Sequence, residues 1–546
     1  MTRARSPSTF AGGGAGSRAV RFNLFPRAAT VALSFAVASV STLGAATLAA
    51  ADTPNAYAAP AFADPAGRRA RVDAILPEID REFRDCAEKK NYPGLVWGLV
   101  LDGALVHTGA VGFADIAKKI PAAADTRFRI ASMTKSFTAL AILKLRDAGK
   151  LRLDEPVATY VPALARTAPL TGDAPPITIR HLLMMAPGFP EDNPWGDRQL
   201  ADTVPELDAL LRDGLALANP PGVVFEYSNL AYALLGQIIS SVTGQSYQRW
   251  ITETMLRPLG MKDTVWEFTE VPAGKLALGY RGTKEAWELE PLLHDGTYGA
   301  MGGLLSTVDD FARYAALHIG AWPPRDGPEL AVVRRATLRE MHLPALFSGL
   351  AAQAKGLEGA AQPAVNFYAY GLSWMHDSRG VTRVGHSGGL PGFGSNWRFF
   401  PEYGFAVLSF ANLTYAGTGA VNARVADLLL DRAKLPRRAL PPSPILRTRA
   451  AQVAELVRTW DAALAARIVA ENFFPDRSAA AWREQARTTL AKAGDVLTAG
   501  EIVPENQLRG TFPLTGEKGR VDVFFTLTPE KEPRVQELRL TFVPKS

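Results

Sequence analysis

Arg129-Ile-Ala-Ser132-Met-Thr-Lys135-Ser-Phe-Thr-Ala-Leu140 is the stretch whose reading decides the fold. Ser132 and Lys135 stand three residues apart at the start of an apolar helical run, so their side chains share one face and can touch. A serine hydroxyl is a poor nucleophile until a neighbouring base takes its proton. A lysine can be that base when burial or nearby positive charge lowers its pKa. Ser-x-x-Lys alone is a weak signal, because both residue types are common on helix surfaces.

Two further motifs follow in chain order. Tyr227-Ser-Asn229 lies just before the apolar helical run Leu230 to Val242, and His386-Ser-Gly388-Gly389 lies in a glycine-rich stretch ending near Trp397. Each has an ordinary reading when taken alone: Ser228 or Asn229 can cap a helix, and His386 with Gly388, Gly389, Gly392 and Gly394 can belong to turns. The three motifs together, in this order, resemble those of the serine beta-lactamase and penicillin-binding (DD-peptidase) superfamily. Tyr-x-Asn and His-x-Gly in second and third place are similar to its class C beta-lactamase-related branch of serine hydrolases and esterases. Flanking segments carry the resemblance further, among them Phe137 to Leu153, Ile177 to Leu183, Gly299 to Ser306 and Tyr370 to Trp374. It covers roughly residues 70 to 435.

The resemblance implies an α/β (α+β) fold: an antiparallel sheet flanked by helices, with a mostly helical lobe beside it and the site between them. It implies that Ser132 attacks an ester or amide carbonyl to form an acyl-enzyme, with Lys135 beneath it. Tyr227 is then a second base or proton relay, and Asn229 bonds Lys135 and the substrate amide. A phenol of pKa about 10 needs neighbouring positive charge to ionise near neutrality, and Lys135 is the nearest candidate. His386, Gly388 and Gly389 belong on an inner-edge strand, where glycines admit substrate backbone. The backbone N–H groups of Ser132 and Gly389 form the expected oxyanion hole.

Two features depart from the family pattern. Histidine stands where lysine is usual in the third motif, and a neutral imidazole attracts a substrate carboxylate only weakly. That shifts weight from beta-lactamase action towards esters or amides of D-amino-acid peptides. Arg383 and Arg398 are near enough in sequence to restore positive charge. Leu182-Leu-Met-Met-Ala-Pro-Gly188 replaces a hydroxyl-rich run, and with Phe189 and Trp195 it predicts a more apolar pocket wall.

The rest of the 546-residue chain bounds these readings. Five arginines precede an Ala-rich apolar run up to Ala51, with no acidic residue before Asp52, the pattern of a secretory signal over residues 1–51. An uncleaved anchor is the competing reading. Without the five arginines the formal net charge of +6 falls to about +1, which gives no footprint for nucleic acid or an anionic membrane. Cys86 is the only cysteine, so no intrachain disulfide can form. The seven histidines show no metal-ligand spacing, and no cofactor or metal is expected.

Residues 52–69, rich in Ala and Pro, read as a flexible leader, and a helix is predicted over Val72 to Lys89. Asp102-Gly103 predicts a hairpin between Leu95–Leu101 and Ala104–Val111. Strands near Thr382, Asn396–Phe400 and Phe405–Phe410 complete the sheet of the domain at 70–435. A proline-rich linker spans 436–447, and an accessory α+β domain of helices followed by three strands spans 448–546. Its order is similar to that of the cone-like nuclear-transport-factor-2-like group.

The expected function is that of an exported serine hydrolase, periplasmic or secreted, acting on small-molecule or peptide esters and amides. The alternative is a penicillin- or peptide-binding sensor that acylates without turnover. No membrane span is expected after the signal, and the sequence leaves the oligomeric state open.

Overall fold

Strand-forming apolar residues at Gly94–Leu101 (β1) and Ala104–Asp115 (β2) meet at Asp102 and Gly103, both at positive φ, which closes the tight hairpin that Asp-Gly favours. The computed structural model describes residues 57–545 apart from residue 284, so the expected export signal lies outside the described residues. Ile120–Pro121 (β3), Leu346–Ala351 (β4), Ala364–Tyr368 (β5), Ser373–Asp377 (β6), Thr382–Leu390 (β7), Phe393–Phe400 (β8) and Phe405–Ala411 (β9) join the hairpin in one antiparallel sheet. The order is β3-β2-β1-β9-β8-β7-β6-β5-β4, so the hairpin pairs with the last strand of the set.

Both faces of this sheet are covered. Leu95, Trp97 and Leu99 face Val72, Ile79 and Phe83 of helices Gly67–Asp73 (α1) and Leu76–Lys89 (α2), together with Val421 and Val425 of Gly419–Asp427 (α6). Val96 and Val100 face the larger core, built on Thr134–Asp147 (α3), Asn229–Thr243 (α4) and Val308–Gly320 (α5). The alternation along β1 is the two-residue period of a strand buried on both sides. Among the described residues no helix is long and apolar enough to cross a membrane.

The structure corrects four details of the sequence reading. The helix predicted over Val72 to Lys89 is two helices that break at Ala74–Ile75, where Pro77 favours a fresh helix start. The leader is not free over its described part. Ala61 pairs with Ala439, and the Phe62 ring lies between the Arg68 and Arg438 guanidinium groups, 3.5 and 4.5 Å from its centroid. The proline-rich linker is correspondingly tethered, and its last residues already belong to helix Pro444–Thr459 (α7), capped by Ser443. The helix expected from Ala450 to about Asn472 breaks at Trp460, at φ +52°, and restarts as Ala462–Ile468 (α8) with Asp461 as cap.

Beyond α8 lie Ala479–Ala491 (α9) and the strands Thr498–Ala499 (β10), Val503–Asn506 (β11), Arg509–Thr515 (β12), Gly519–Leu527 (β13) and Val535–Pro544 (β14). They form a second antiparallel sheet in the order β10-β12-β13-β14, with β11 also paired to β12. Alternate residues Val521, Val523 and Phe525 pack with Val453, Leu456 and Ile468 in a core separate from the two described above.

Candidate active site

Ser132 sits in a tight turn, Ala131–Met133, that feeds α3, and Lys135 lies one turn further on. Ala131 holds a left-handed conformation at φ +51°, unusual for a residue with a Cβ. Packing fixes it there: Ser395 Oγ donates to Ile130 O at 2.7 Å, and Gly388 passes against Ile130 O and Ala131 Cβ with no room for a side chain. The need for glycine at 388 is thus a close approach of β7 to the serine turn.

Lys135 is fully buried. Its Nζ lies 3.0 Å from Ser132 Oγ, 2.7 Å from Asn229 Oδ1 and 3.0 Å from Met301 O. Two of these neighbours can only accept, so a neutral amine spends both N–H bonds on them and turns its lone pair to the serine hydroxyl. Burial lowers the Lys135 pKa to about 7, against an opposing pull from the Asp197 and Asp192 carboxylates.

Tyr227-Ser-Asn229 occupies the start of α4, so the capping and the site readings hold together. Ser228 Oγ accepts from Ala231 N at 3.1 Å, and Asn229 is the first helical residue. The Tyr227 hydroxyl meets Ser132, and its ring centroid is 4.8 Å from Lys135 Nζ. Burial pushes its pKa well above 10, with the hydrogen bond to Ser132 a smaller opposing effect. Tyr227 therefore stands ready as a phenol that passes protons, and the phenolate considered from sequence is disfavoured here.

Lys135 contacts Ser132, Tyr227 and Asn229 and so brings the four together; His386 is placed differently. Its Nδ1 faces Ser387 O, a pure acceptor, so Nδ1 carries the proton and Nε2 accepts from Tyr368 OH at 3.0 Å. Burial lowers its pKa to about 3, with Lys135 adding to the effect, so the ring is neutral. It forms a fixed wall 6.3 Å, centroid to centroid, from Tyr227.

The strand bearing the third motif is interior to the sheet and is not an edge strand. β6 pairs with β7 only from His376↔Thr382 to Ser373↔Gly385, which leaves His386–Leu390 unpaired on that side. An open half-edge inside a sheet offers backbone groups to an extended ligand. It borders a cavity of about 540 Å³ whose walls include Tyr227, Tyr368, Trp374, His386, Gly389 and Arg398. The apolar wall expected from Leu182–Gly188 is not there: Leu182, Leu183 and Met185 are buried in the core, and Met185 Sδ accepts from Ser228 N.

Several residues of the site carry no sequence signal. Asp192 Oδ2 accepts from Ser228 Oγ and Leu230 N, each at 2.9 Å, and so holds the start of α4 from 36 to 38 positions away. Asp197, fully buried, accepts from Asn229 Nδ2 at 3.1 Å, and burial raises its pKa to about 6. Arg129 donates to Gly303 O and Leu293 O, each at 2.7 Å, and so braces the segment that supplies Met301 O.

The family described as Beta-lactamase matches residues 79–431 of this chain. Protein flp of Staphylococcus aureus (strain MW2) is 31% identical over 346 residues, 62% of this chain and 63% of that protein. Unguisins hydrolase ungD' of Aspergillus campestris (strain IBT 28561) is 27% identical over 370 residues, 64% of this chain and 65% of that one. The chain thus spans a little under two thirds of the length of these relatives. In fold it is similar to the octameric penicillin-binding protein homologue from Pyrococcus abyssi, with a TM-score of 0.54 at 22% identity over 86% of this chain and 95% of that one. A class C beta-lactamase aligns with a TM-score of 0.52 at 20% identity, covering 65% of this chain and 96% of that one.

Proposed function

The chain belongs to the Beta-lactamase family, and from that premise we propose that it is a serine hydrolase that works through an acyl-enzyme at Ser132. The observation that carries the proposal is the setting of Lys135, a buried amine with two acceptors for its N–H bonds and a serine hydroxyl for its lone pair.

In the proposed reaction Lys135 Nζ takes the Ser132 proton as Oγ forms a bond to the substrate carbonyl carbon. The negative charge moves to the carbonyl oxygen, where the backbone N–H groups of Ser132 and Gly389 receive it. Collapse of the adduct breaks the bond to the leaving group, which takes a proton relayed from Lys135 through the Tyr227 hydroxyl. Water then attacks the acyl-enzyme with its proton passing back along the same groups, which releases the acid and restores Ser132.

Neutral His386 puts no cation on the third motif, which favours esters, or amides of D-amino-acid peptides, over beta-lactams. Protein flp and unguisins hydrolase, as relatives, are compatible with this range without selecting within it. The composition of residues 1–51 supports reading the protein as exported.

The test is turnover of p-nitrophenyl acetate and butyrate, a D-Ala-D-Ala peptide and nitrocefin by the protein and by Ser132→Ala. Turnover of an ester or peptide that disappears in Ser132→Ala supports the proposal. Turnover that survives in Ser132→Ala, or none on any substrate by folded protein, overturns it, and an adduct without turnover makes the protein a sensor.

A further inference from the structure

Tyr415, in the loop after β9, holds a backbone conformation that its side chain disfavours. Its φ is +53°, in the left-handed region that residues with a Cβ seldom adopt. Burial of the ring does not account for this, because Tyr415 is 47% exposed. The backbone is fixed instead by the turn between β7 and β8: Tyr415 N donates to Phe393 O at 3.1 Å, and Gly392 N donates to Thr414 Oγ1 at 2.8 Å.

So held, the side chain lines the cavity and crosses from one wall of the catalytic slot to the other. At its base, Cδ1 lies 2.9 Å from the point a Cβ on Gly389 would occupy. At its tip the hydroxyl approaches the carboxyl of Asp197, which accepts from Asn229 Nδ2 at 3.1 Å on its other side. Burial and the Asp197 charge push the Tyr415 pKa up to about 12, so it meets that carboxyl as a phenol.

The proposed reaction gives the slot a direction. The leaving group takes its proton from Tyr227, whose ring is 6.3 Å from that of His386, so it lies on the His386 side. There the cavity walls include Phe225, Phe367 and Trp374. The acyl remainder points the opposite way, between Gly389 and Asn229, and that is the end which Tyr415 spans.

We propose that Tyr415 is a specificity-determining residue that closes the acyl end of the slot, so that the protein takes esters and amides of short acids with bulky leaving groups. This rests on the hydrolase reading and narrows its substrate class. The barrier is the bulk of the ring, and the turn that holds residue 415 keeps it in place. A short acyl chain stops before the ring, whereas each further methylene meets a fixed wall, and one methylene of misfit in a pocket is worth roughly tenfold or more in discrimination.

The test is kcat/KM for p-nitrophenyl acetate, butyrate, hexanoate and octanoate in the wild type, Tyr415→Gly and Tyr415→Phe. Glycine removes the ring and adopts positive φ freely, and circular dichroism checks that each variant is folded. In the wild type the octanoate value is expected to be at least about tenfold below the acetate value, a result that needs no variant. Tyr415→Gly should raise the octanoate-to-acetate ratio about tenfold or more, and Tyr415→Phe, which keeps the ring, should leave the ratio near that of the wild type. Wild-type values that stay level or rise with chain length, a ratio unmoved in Tyr415→Gly, or a ratio raised as far by Tyr415→Phe as by Tyr415→Gly overturns the gate and leaves the hydrolase reading standing. No turnover of any ester by any of the folded proteins overturns the hydrolase reading, and the gate falls with it.

Discussion

Asn229 joins Lys135 to Asp197 through a single carboxamide: its Oδ1 accepts from Lys135 Nζ at 2.7 Å while its Nδ2 donates to Asp197 Oδ1 at 3.1 Å. All three residues are fully buried. The amide thus orients the amine and satisfies the acid at once, and neither partner has water as a substitute. Asn229→Ala is expected to lower kcat/KM about tenfold to a hundredfold, as loss of a hydrogen bond to a charged group costs about 1.5–3 kcal/mol. A lower melting temperature should accompany it, from two buried polar groups left unpaired. Unchanged steady-state kinetics in a folded Asn229→Ala protein would remove Asn229 from the site.

The pH profile follows from the pair. With Lys135 shifted down to about 7, the competent neutral amine is lost as pH falls through that value, so kcat/KM should rise towards the alkaline side with a midpoint near 7. Asp197→Asn removes a negative charge that favours the ammonium, so the midpoint should move to lower pH. A residue that only packs would leave the midpoint in place. Because the two groups interact, the measured midpoints belong to the pair.

Stability should respond with opposite signs at the two sites. Between about pH 7 and the ordinary lysine value of 10.5 the folded state binds fewer protons at Lys135 than the unfolded chain, so this group favours folding increasingly as pH rises. Between 3.8 and about 6 the folded state binds more protons at Asp197, so this group's contribution declines as pH rises. Comparing melting temperatures of wild type and Asp197→Asn between pH 4 and about 6, below the Lys135 midpoint near 7, reads mainly the second effect. The deficit of the wild type relative to the variant should widen with pH, and a constant difference would contradict the assignment.

Gly388→Ala is a steric test of the link between β7 and the serine turn. A Cβ there would collide with Ile130 O and Ser395 Oγ and come within 3.0 Å of Ala131 Cβ. Overpacking of this kind costs typically about 1–3 kcal/mol, and displacement of the adjacent Ser132 by an ångström can cost roughly a hundredfold in rate. Gly172→Ala, where nothing lies within 4 Å of the added methyl, is the control and should be silent in both assays. Equal behaviour of the two variants would contradict this packing.

Arg68 tests the tether of the segment before α2. It is fully buried, its Nε donates to Asp102 Oδ2 at 2.8 Å and its Nη2 to Tyr403 O at 2.6 Å, and Phe62 covers its face. Arg68→Ala should cost about 1–3 kcal/mol by chemical denaturation, and Arg68→Lys should recover only part of it, because an ammonium lacks the planar fork. Full recovery by lysine would show that charge alone matters there.

The parts of the site legible in the sequence are those set by local geometry. Ser132 and Lys135 fall within one helical turn, and Tyr227 and Asn229 flank one helix cap, so local geometry holds each pair together, while the link between the pairs came from the family resemblance. Asp192 and Asp197 escaped notice because they reach the site from a segment 32 to 38 positions before their partners at the start of α4, without periodicity or a motif to connect them, and Met301 O, 166 positions from Lys135, lies in the Gly299–Ser306 segment that carried the resemblance but no residue role. In the fold, the hairpin at Asp102-Gly103 was readable from turn chemistry, whereas the break at Trp460 was not, since neither Gly nor Pro marks it. Composition misled at residues 57–69, where one aromatic ring, Phe62, outweighs the surrounding alanines by lying between two guanidinium groups. Arg398 was visible only as a nearby charge, because its aim depends on the β7–β8 register.

The most direct measurement is the intact mass of the protein during reaction with p-nitrophenyl acetate, followed by peptide mapping, in the wild type and in Lys135→Met. The account requires one acetyl group on Ser132, formed faster as pH rises through about 7, and a rate roughly 10²–10⁴-fold lower in Lys135→Met. An acetyl group on any other residue, or acylation of Ser132 at the wild-type rate without the lysine amine, would contradict it.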